Sequence, residues 1–123
     1  MLLYEDGRES ELREKIMLRI GQVIEVKPEY KAEYIKLHES IPAEVAKLIR
    51  ECNIRNYSIF SKGNMLFSYY EYVGCDYAAD MEKMAASEDN QKWWALVKPL
   101  MQPLAARKEN EFWAEMDPIF YQE

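Results

Sequence analysis

The chain contains a single histidine, His38, within the segment EYIKLHESIPAE that spans residues 33–44. An imidazole with an ordinary pKa near ~6.5 can give or take a proton at neutral pH. Tyr34 precedes His38 by four positions, and side chains at that spacing are neighbours on a helix, so the phenol can orient a substrate hydroxyl beside the imidazole. The pattern allows two interpretations: a catalytic acid–base group, or a partly buried histidine satisfied by a backbone carbonyl.

Two adjacent tryptophans, Trp93 and Trp94, form a second candidate site. Successive helix residues point about 100° apart, so one ring can fill the core while the other borders a pocket. An indole face suits the apolar C–H patches of a sugar ring, and its N–H donates to a hydroxyl. On the pattern alone, packing of both rings is the simpler interpretation.

Tyr57 lies in a predicted strand, and strand alternation places Arg55 and Ile59 on the same side as its phenol. If that side faces a pocket, the phenol is a hydrogen-bond donor to a ligand. The tyrosines at positions 69, 70 and 72 must divide between the two faces of the next strand, where we expect core or subunit-interface positions for most of them.

The composition argues against several functional classes. A net charge of −6 without a clustered block of Lys and Arg disfavours binding to nucleic acid and to acidic membrane surfaces. Cys52 and Cys75 are isolated, and we expect both to be reduced thiols. One histidine with two distant cysteines does not form a zinc set, and four scattered glycines do not form a nucleotide-binding loop. We therefore expect a protein that works without metal or nucleotide.

The chain of 123 residues is about one domain in length. No apolar run approaches the ~18 residues that a membrane span needs, and the N-terminal MLLYEDGRESELREK is too charged for a signal peptide. We expect a cytoplasmic protein with an N-terminal extension over residues 1–17 and one folded domain over residues 18–123.

Strand and helix patterns alternate along this domain. RIGQVIEV at 19–26 predicts a strand, and residues 29–52 predict a helix that Pro42 interrupts. Residues 53–73 predict a hairpin, with positive-φ residues supplied by Lys62-Gly63-Asn64. Two further helices follow, the first beginning near Asp76 and the second ended by proline. The tail DPIFYQE, residues 117–123, is a candidate final strand.

The resulting order β-α-β-β-α-β is the ferredoxin-like arrangement, an α+β sandwich with helices on one face of an antiparallel sheet. The strands are too apolar and aromatic for the other face to remain exposed. Either a second copy of the chain or a ligand pocket must cover it, and a homodimer is the natural inference.

Five ordered segments carry a resemblance to the L-rhamnose mutarotase family, small cofactor-free enzymes that interconvert pyranose anomers. They are EYIKLH, NYSIF, NMLFSYYE, QKWW and IFYQ, and together they cover roughly residues 19–123. The resemblance implies a dimeric α+β barrel, no cofactor and a monosaccharide substrate, most readily L-rhamnose. It also implies His38 as proton donor and Tyr34, Tyr57, Trp93 and Trp94 as sugar-contacting residues.

The sequence departs from the family pattern just after the histidine. The pattern there is Ile-Trp-Pro-Glu, whereas this chain has HESIPAE, in which His38, Ile41 and Glu44 keep their places and the tryptophan is missing. The loss of a ring near the site leaves the preferred sugar open. The anomeric hydroxyl must also lose a proton, for which water or Glu44 is a candidate acceptor. Two other functions fit the same fold: a cofactor-free dimeric monooxygenase, and a ligand-binding dimer without activity.

Overall fold

The computed structural model describes residues 17–123, so the predicted N-terminal extension lies outside the described residues apart from Met17. The described part contains five strands: β1 Leu18–Val26, β2 Ile54–Lys62, β3 Met65–Tyr72, β4 Met101–Gln102 and β5 Ala114–Met116. Its four α-helices are α1 Lys31–His38, α2 Ala43–Glu51, α3 Tyr77–Ala86 and α4 Glu88–Val97. Short 3₁₀ turns, Pro28–Tyr30 and Lys98–Leu100, precede α1 and follow α4.

The strands form one antiparallel sheet in the order β2-β3-β1-β4, the order of a ferredoxin-like fold, which confirms the predicted fold class. β1 pairs with β3 along its length on one side. On its other side β1 pairs with β4 at Glu25–Val26 and with β5 at Gly21–Val23. The polypeptide therefore returns twice to the same edge of β1, and β5 brings the end of the domain beside its first strand.

Local sequence signals explain where the helices begin and end. Pro42 is in extended conformation directly before α2, so the predicted helix over 29–52 is broken into α1 and α2 as expected. The Asp76 carboxylate accepts a hydrogen bond from the Ala79 amide and begins α3. The Ser87 hydroxyl accepts a hydrogen bond from the Asn90 amide and begins α4. In the β2–β3 turn only Gly63 has a positive φ, +59°, while Asn64 does not.

The even-numbered side chains of β1 and β3 face the helices and form the core. They include Ile24, Leu66 and Tyr72, each at most 2% exposed. Burial of an aliphatic side chain of this size stabilises a fold by about 1.5–3 kcal/mol. The predicted division of the β3 tyrosines is confirmed, because Tyr70 and Tyr72 are buried on this face and Tyr69 lies on the other.

A β-bulge in β2 makes one predicted orientation wrong. The register shifts between Arg55 and Ser58, where Asn56 has φ +53° and its amide donates to Glu71. One extra residue in a strand reverses the direction of the side chains that follow it. Ile59 consequently pairs with the buried Ser68, whereas Arg55 pairs with Glu71 on the opposite face.

The predicted C-terminal strand is also wrong. Residues 117–123 have no regular structure, and the last strand is β5. Pro118 has no amide proton to donate to a strand ladder, which explains why β5 does not continue into the tail. The tail instead exposes Ile119 and Phe120, and the Tyr121 ring lies against the Arg19 guanidinium at 3.3 Å.

The thiol prediction is confirmed, since Cys52 and Cys75 are both free. The longest helices of residues 17–123 have ten residues, and none is long and apolar enough to cross a membrane.

Candidate functional site

A cavity of about 500 Å³ lies between the sheet and the helix layer. This volume is within the range of pockets that enclose small ligands. All five site residues expected from the sequence line it: Tyr34, His38, Tyr57, Trp93 and Trp94. Elements far apart in the chain therefore bring these side chains to one place, since they come from α1, β2 and α4.

His38 is the last residue of α1, and its ring is half-buried at the cavity wall. Its Nδ1 atom lies 2.8 Å from the carbonyl oxygen of Tyr34. A carbonyl only accepts hydrogen bonds, so Nδ1 carries the proton and donates it. The backbone contact satisfies only one ring nitrogen, and Nε2 of neutral His38 keeps a lone pair for proton chemistry.

Two aromatic rings contact the imidazole. The Tyr34 ring lies 4.2 Å from it between centroids, and the Trp93 ring meets it edge-on at 5.2 Å. Burial lowers the pKa of His38 below its ordinary value, while the hydrogen bond to the Tyr34 carbonyl acts in the opposite direction. The neutral imidazole is therefore the main form at neutral pH.

The phenols of Tyr34 and Tyr57 are neutral hydrogen-bonding groups of the same cavity. Tyr34 is 3% exposed, and burial together with the nearby Tyr57 raises the pKa of its phenol. Tyr57 has 42% of its surface exposed, yet its phenol end lies in the cavity, where burial raises its pKa as well. The bulge before it explains why Tyr57 faces the helix layer.

The tryptophans occupy different positions. Trp93 is 9% exposed and belongs to the core cluster around Ile24 and Leu66, while also lining the cavity. Trp94 is half-buried at the cavity wall, with the Lys98 ammonium 4.4 Å from its ring centroid. Both rings thus pack on the same core cluster, Trp93 within it and Trp94 against it, and both also line the cavity.

Further polar residues that the sequence did not point to also line the cavity. The hydroxyls of Tyr70 and Tyr77 lie 2.5 Å apart, and both side chains line the cavity. Gln22 and Glu115, which face each other across the β1–β5 pairing, line it too. Residue parity along β3 could have indicated Tyr70, but the three residues of β5 carry no pattern that predicts Glu115.

The carboxylate considered in the sequence lies elsewhere. Glu44 is exposed in the first turn of α2 and does not line the cavity, whereas Glu111 and Glu115 do. Pro42, in the segment where the sequence departs from the family resemblance, borders a separate hollow of about 370 Å³ that shares Trp93 with the cavity. Among residues 17–123, no three His, Cys, Asp or Glu side chains are grouped as a metal site would require.

The family model and the similar proteins of known sequence point to the same family. The family model for L-rhamnose mutarotase matches residues 19–122. The L-rhamnose mutarotase of Ligilactobacillus salivarius is 36% identical over 89 residues, covering 68% of this chain and 80% of that protein. The L-rhamnose mutarotase of Pectobacterium carotovorum is 31% identical over 108 residues, covering 85% of this chain and 98% of that protein.

Solved structures share the fold. The crystal structure of an L-rhamnose mutarotase from Formosa agariphila superposes with a TM-score of 0.66 at 24% identity, covering 86% of this chain and 99% of that one. A candidate antibiotic biosynthesis monooxygenase from Caulobacter crescentus superposes with a TM-score of 0.53 at 14% identity, covering 71% and 80%. At these identities the structural similarity establishes the fold alone.

Proposed function

The chain belongs to the L-rhamnose mutarotase family, and we propose that it interconverts the α and β anomers of a deoxy-hexose pyranose, with L-rhamnose as the expected substrate. The observation that carries this proposal is the position of the chain's one histidine, whose ring borders the cavity and keeps Nε2 for proton transfer. The substrate class rests on the family.

The reaction needs a proton to leave one oxygen and another to arrive at its neighbour. The anomeric hydroxyl loses its proton, the C1–O5 bond breaks with its electron pair on the ring oxygen, and that oxygen is protonated. The open-chain aldehyde turns and closes on its other face by the reverse steps. Both oxygens are bonded to C1, so one imidazole nitrogen can reach each in turn.

His38 is the proposed acid–base group. In its neutral form Nε2 accepts the proton of the anomeric hydroxyl, and the resulting imidazolium protonates the ring oxygen as the ring opens. On closure the same nitrogen takes the proton back from the hydroxyl that becomes the ring oxygen and gives it to the aldehyde oxygen, which becomes the anomeric hydroxyl. A single histidine then suffices, and neither Glu44 nor a second acid–base residue is required.

The remaining cavity residues hold the sugar. Tyr34 and Tyr57 present neutral phenols, which donate hydrogen bonds to sugar hydroxyls. Trp94 offers a half-buried ring for the C–H face of the pyranose, and Trp93 fixes the imidazole edge-on. Because the interconversion oxidises nothing and transfers no group, the proposed reaction uses no cofactor.

The proposal is tested by NMR exchange spectroscopy between the α and β anomers of L-rhamnose, with and without the protein. We expect faster exchange with the native chain and a loss of about 10²–10⁴-fold in the His38→Ala variant. Glu39→Ala, which changes the exposed neighbour of His38, is the matched control and should keep the native rate. Native exchange that survives His38→Ala unchanged would contradict the assignment of His38.

The same preparation separates the other functions that the fold permits. Oxygen uptake with an electron-rich phenol, and no acceleration of anomer exchange, would identify a monooxygenase. Sugar binding without any acceleration, equal in the native chain and in His38→Ala, would identify a binding protein. L-fucose measured beside L-rhamnose shows which deoxy-hexose is preferred.

The proposal includes a homodimer formed through the outer face, by which we mean the sheet surface opposite the helices. Phe60 and Phe67 are 67% and 36% exposed there, and Met116 on β5 is 38% exposed. The tail adds Ile119 and Phe120 to the exposed apolar surface of the chain. Large apolar side chains exposed together on one face of a sheet are typical of an interface, and a second copy of the chain would cover them symmetrically.

A further inference from the structure

We propose that the Tyr70–Tyr77 hydroxyl pair, together with the Glu115 carboxylate, binds the C3–C4 diol of the pyranose and thereby selects the sugar. This inference rests on the proposed function and adds to it a second binding end, away from His38. None of the three residues belongs to the site expected from the sequence.

The hydroxyl pair retains one donor for a ligand. The two oxygens lie 2.5 Å apart, so one hydroxyl donates its hydrogen to the other. The accepting hydroxyl keeps its own hydrogen, and within residues 17–123 neither oxygen has another hydrogen-bond partner. A hydroxyl that accepts one bond becomes a stronger donor, because neighbouring hydrogen bonds polarise one another. Both side chains line the cavity, so this donor is available to a bound sugar.

Packing holds the pair in place before any ligand arrives. Tyr77 stands in the first turn of α3, and its ring meets the Tyr72 ring at 5.0 Å. Tyr72 is fully buried, donates to the Asp80 carboxylate at 2.6 Å and accepts from the Asp76 amide at 3.0 Å. Tyr70 comes from β3 and is 6% exposed. The hydroxyls are therefore positioned by a strand and a capped helix rather than by a loop.

Glu115 supplies the complementary acceptor. It lies on β5 directly opposite Gln22 of β1 and lines the same cavity. Burial is the main cause of the raised pKa of Tyr70 and of Tyr77, and the negative charge of Glu115 acts in the same direction on both. A vicinal diol offers two hydroxyls, so the retained phenol donor and the carboxylate of Glu115, an exposed residue, can engage one each. Gln22, whose amide oxygen accepts from Ser68 at 3.3 Å, keeps its N–H₂ group for the same end.

The geometry of the pyranose ring determines which sugar hydroxyls lie near Tyr70, Tyr77 and Glu115. Proton transfer occurs at the C1–O5 edge, which must face His38. The C3–C4 edge lies on the opposite side of a six-membered ring and therefore points away from His38. Tyr57 also lines the cavity, and its ring meets the Tyr70 ring edge-on with centroids 5.4 Å apart.

The test combines variants of this end with deoxygenated sugars. Tyr77→Phe removes one hydroxyl and keeps the ring, and Tyr30→Phe, an exposed tyrosine outside the cavity, is the matched control. For L-rhamnose we expect Tyr77→Phe to raise KM about 3- to 10-fold, the value of one neutral hydrogen bond, with kcat within a factor of two. Glu115→Gln should raise KM at least as much, because a bond to a charged group is stronger.

Deoxygenated sugars show whether the rise in KM of Tyr77→Phe comes from a contact with one sugar hydroxyl. The retained phenol donor binds one hydroxyl of the diol, so the ratio of KM between Tyr77→Phe and the native chain should fall to about one with either 3-deoxy- or 4-deoxy-L-rhamnose, whichever lacks that hydroxyl. With 2-deoxy-L-rhamnose the ratio should persist. An unchanged KM for L-rhamnose would overturn the inference. An equal rise for all three deoxy sugars would also overturn it, because a general disturbance of the cavity has that effect.

Binding measured by ligand-observed NMR keeps this inference separate from the proposed function. If the native chain does not accelerate exchange but binds L-rhamnose, the proposed reaction fails, and the same ratios are read from Kd. If acceleration is present and the ratios stay at one for every sugar, the diol assignment alone fails. If L-rhamnose is neither bound nor interconverted, both fail.

Discussion

The Nδ1 atom of His38 donates to the carbonyl oxygen of Tyr34 at 2.8 Å, so the residue four positions earlier determines which nitrogen of the imidazole is free. The rings of the two residues are also in contact, tilted by 32° with centroids 4.2 Å apart. Tyr34 thus contributes its backbone, its ring and its phenol to the same site. This is possible because residues four positions apart lie on the same face of a helix.

The pH dependence of the reaction follows from the burial of His38. Burial lowers its pKa, so the neutral form that accepts the first proton persists to lower pH than for an exposed histidine. We expect kcat/KM to be flat at neutral pH and to fall in acid, with a midpoint below about 6.5. The measurement is anomer exchange from pH 5 to 8, after subtraction of the buffer-catalysed rate. A midpoint above 7 would mean that protonated His38 is stabilised instead, contrary to its burial.

Substitution of Trp93 should mainly lower the stability of the fold, whereas substitution of Trp94 should mainly weaken sugar binding. Trp93 is a core residue at 9% exposure, and Trp93→Ala is expected to lower the free energy of unfolding by about 3–5 kcal/mol. Trp94 is half-buried, and Trp94→Ala should cost about 1 kcal/mol while raising KM for the sugar. Urea unfolding and exchange kinetics on both variants check this. Equal losses of stability would show that Trp94 is a core residue too.

The sequence predicts the parts of the fold that have strong local signals. Periodicity and turn residues give β1, the helix break at Pro42, the hairpin turn at Gly63 and the start of α3 at Asp76. The five site residues follow from the family resemblance, and the cavity brings all of them together. Their chemical roles remain predictions.

The remaining features depend on contacts that a sequence pattern does not contain. The bulge at Asn56 is determined by pairing with β3 and by the bond to Glu71, and it reverses the side that Tyr57 was expected to share with Arg55. β5 is three residues long, so it exists only because β1 offers an unpaired edge. Its pairing with Gln22 of β1 places Glu115 on the cavity side of the sheet.

Tyr72 provides a test of the polar network behind the cavity. Its buried hydroxyl donates to Asp80 and accepts from the Asp76 amide, and burial raises the pKa of its phenol to about 12. Tyr72→Phe leaves both partners without this bond, and we expect a loss of about 1–3 kcal/mol in the free energy of unfolding. Tyr69→Phe is the matched control. The Tyr69 hydroxyl donates to the Glu71 carboxylate at 2.8 Å on the outer face of the sheet, and removing this hydroxyl should lower the free energy of unfolding by under about 1 kcal/mol.

Urea unfolding followed by tryptophan fluorescence measures both tyrosine variants. If Tyr72→Phe were as stable as the native chain, the Asp80 carboxylate would have to find another donor. Asn53, whose amide already donates to Asp80 at 3.0 Å, is the neighbour that remains.

The proposed homodimer predicts that a charge on the outer face produces a monomer. Phe67 lies on β3 opposite Val23 of β1, near the middle of the sheet, and is 36% exposed. Phe67→Glu would place a carboxylate inside an apolar interface in each subunit, where two like charges face an environment of low polarity. We expect sedimentation velocity to show a dimer for the native chain and a monomer for this variant. Because the cavity lies on the helix side of the sheet, the monomer should retain measurable anomer exchange.

The control for this prediction carries the same substitution on the helix side. Leu96 on α4 is 55% exposed and lies away from the outer face, so Leu96→Glu should leave the native mass unchanged. A dimer that survives Phe67→Glu but dissociates with Leu96→Glu would place the interface on the helices. A native chain that sediments as a monomer at all concentrations would leave the outer face uncovered and contradict the proposed assembly.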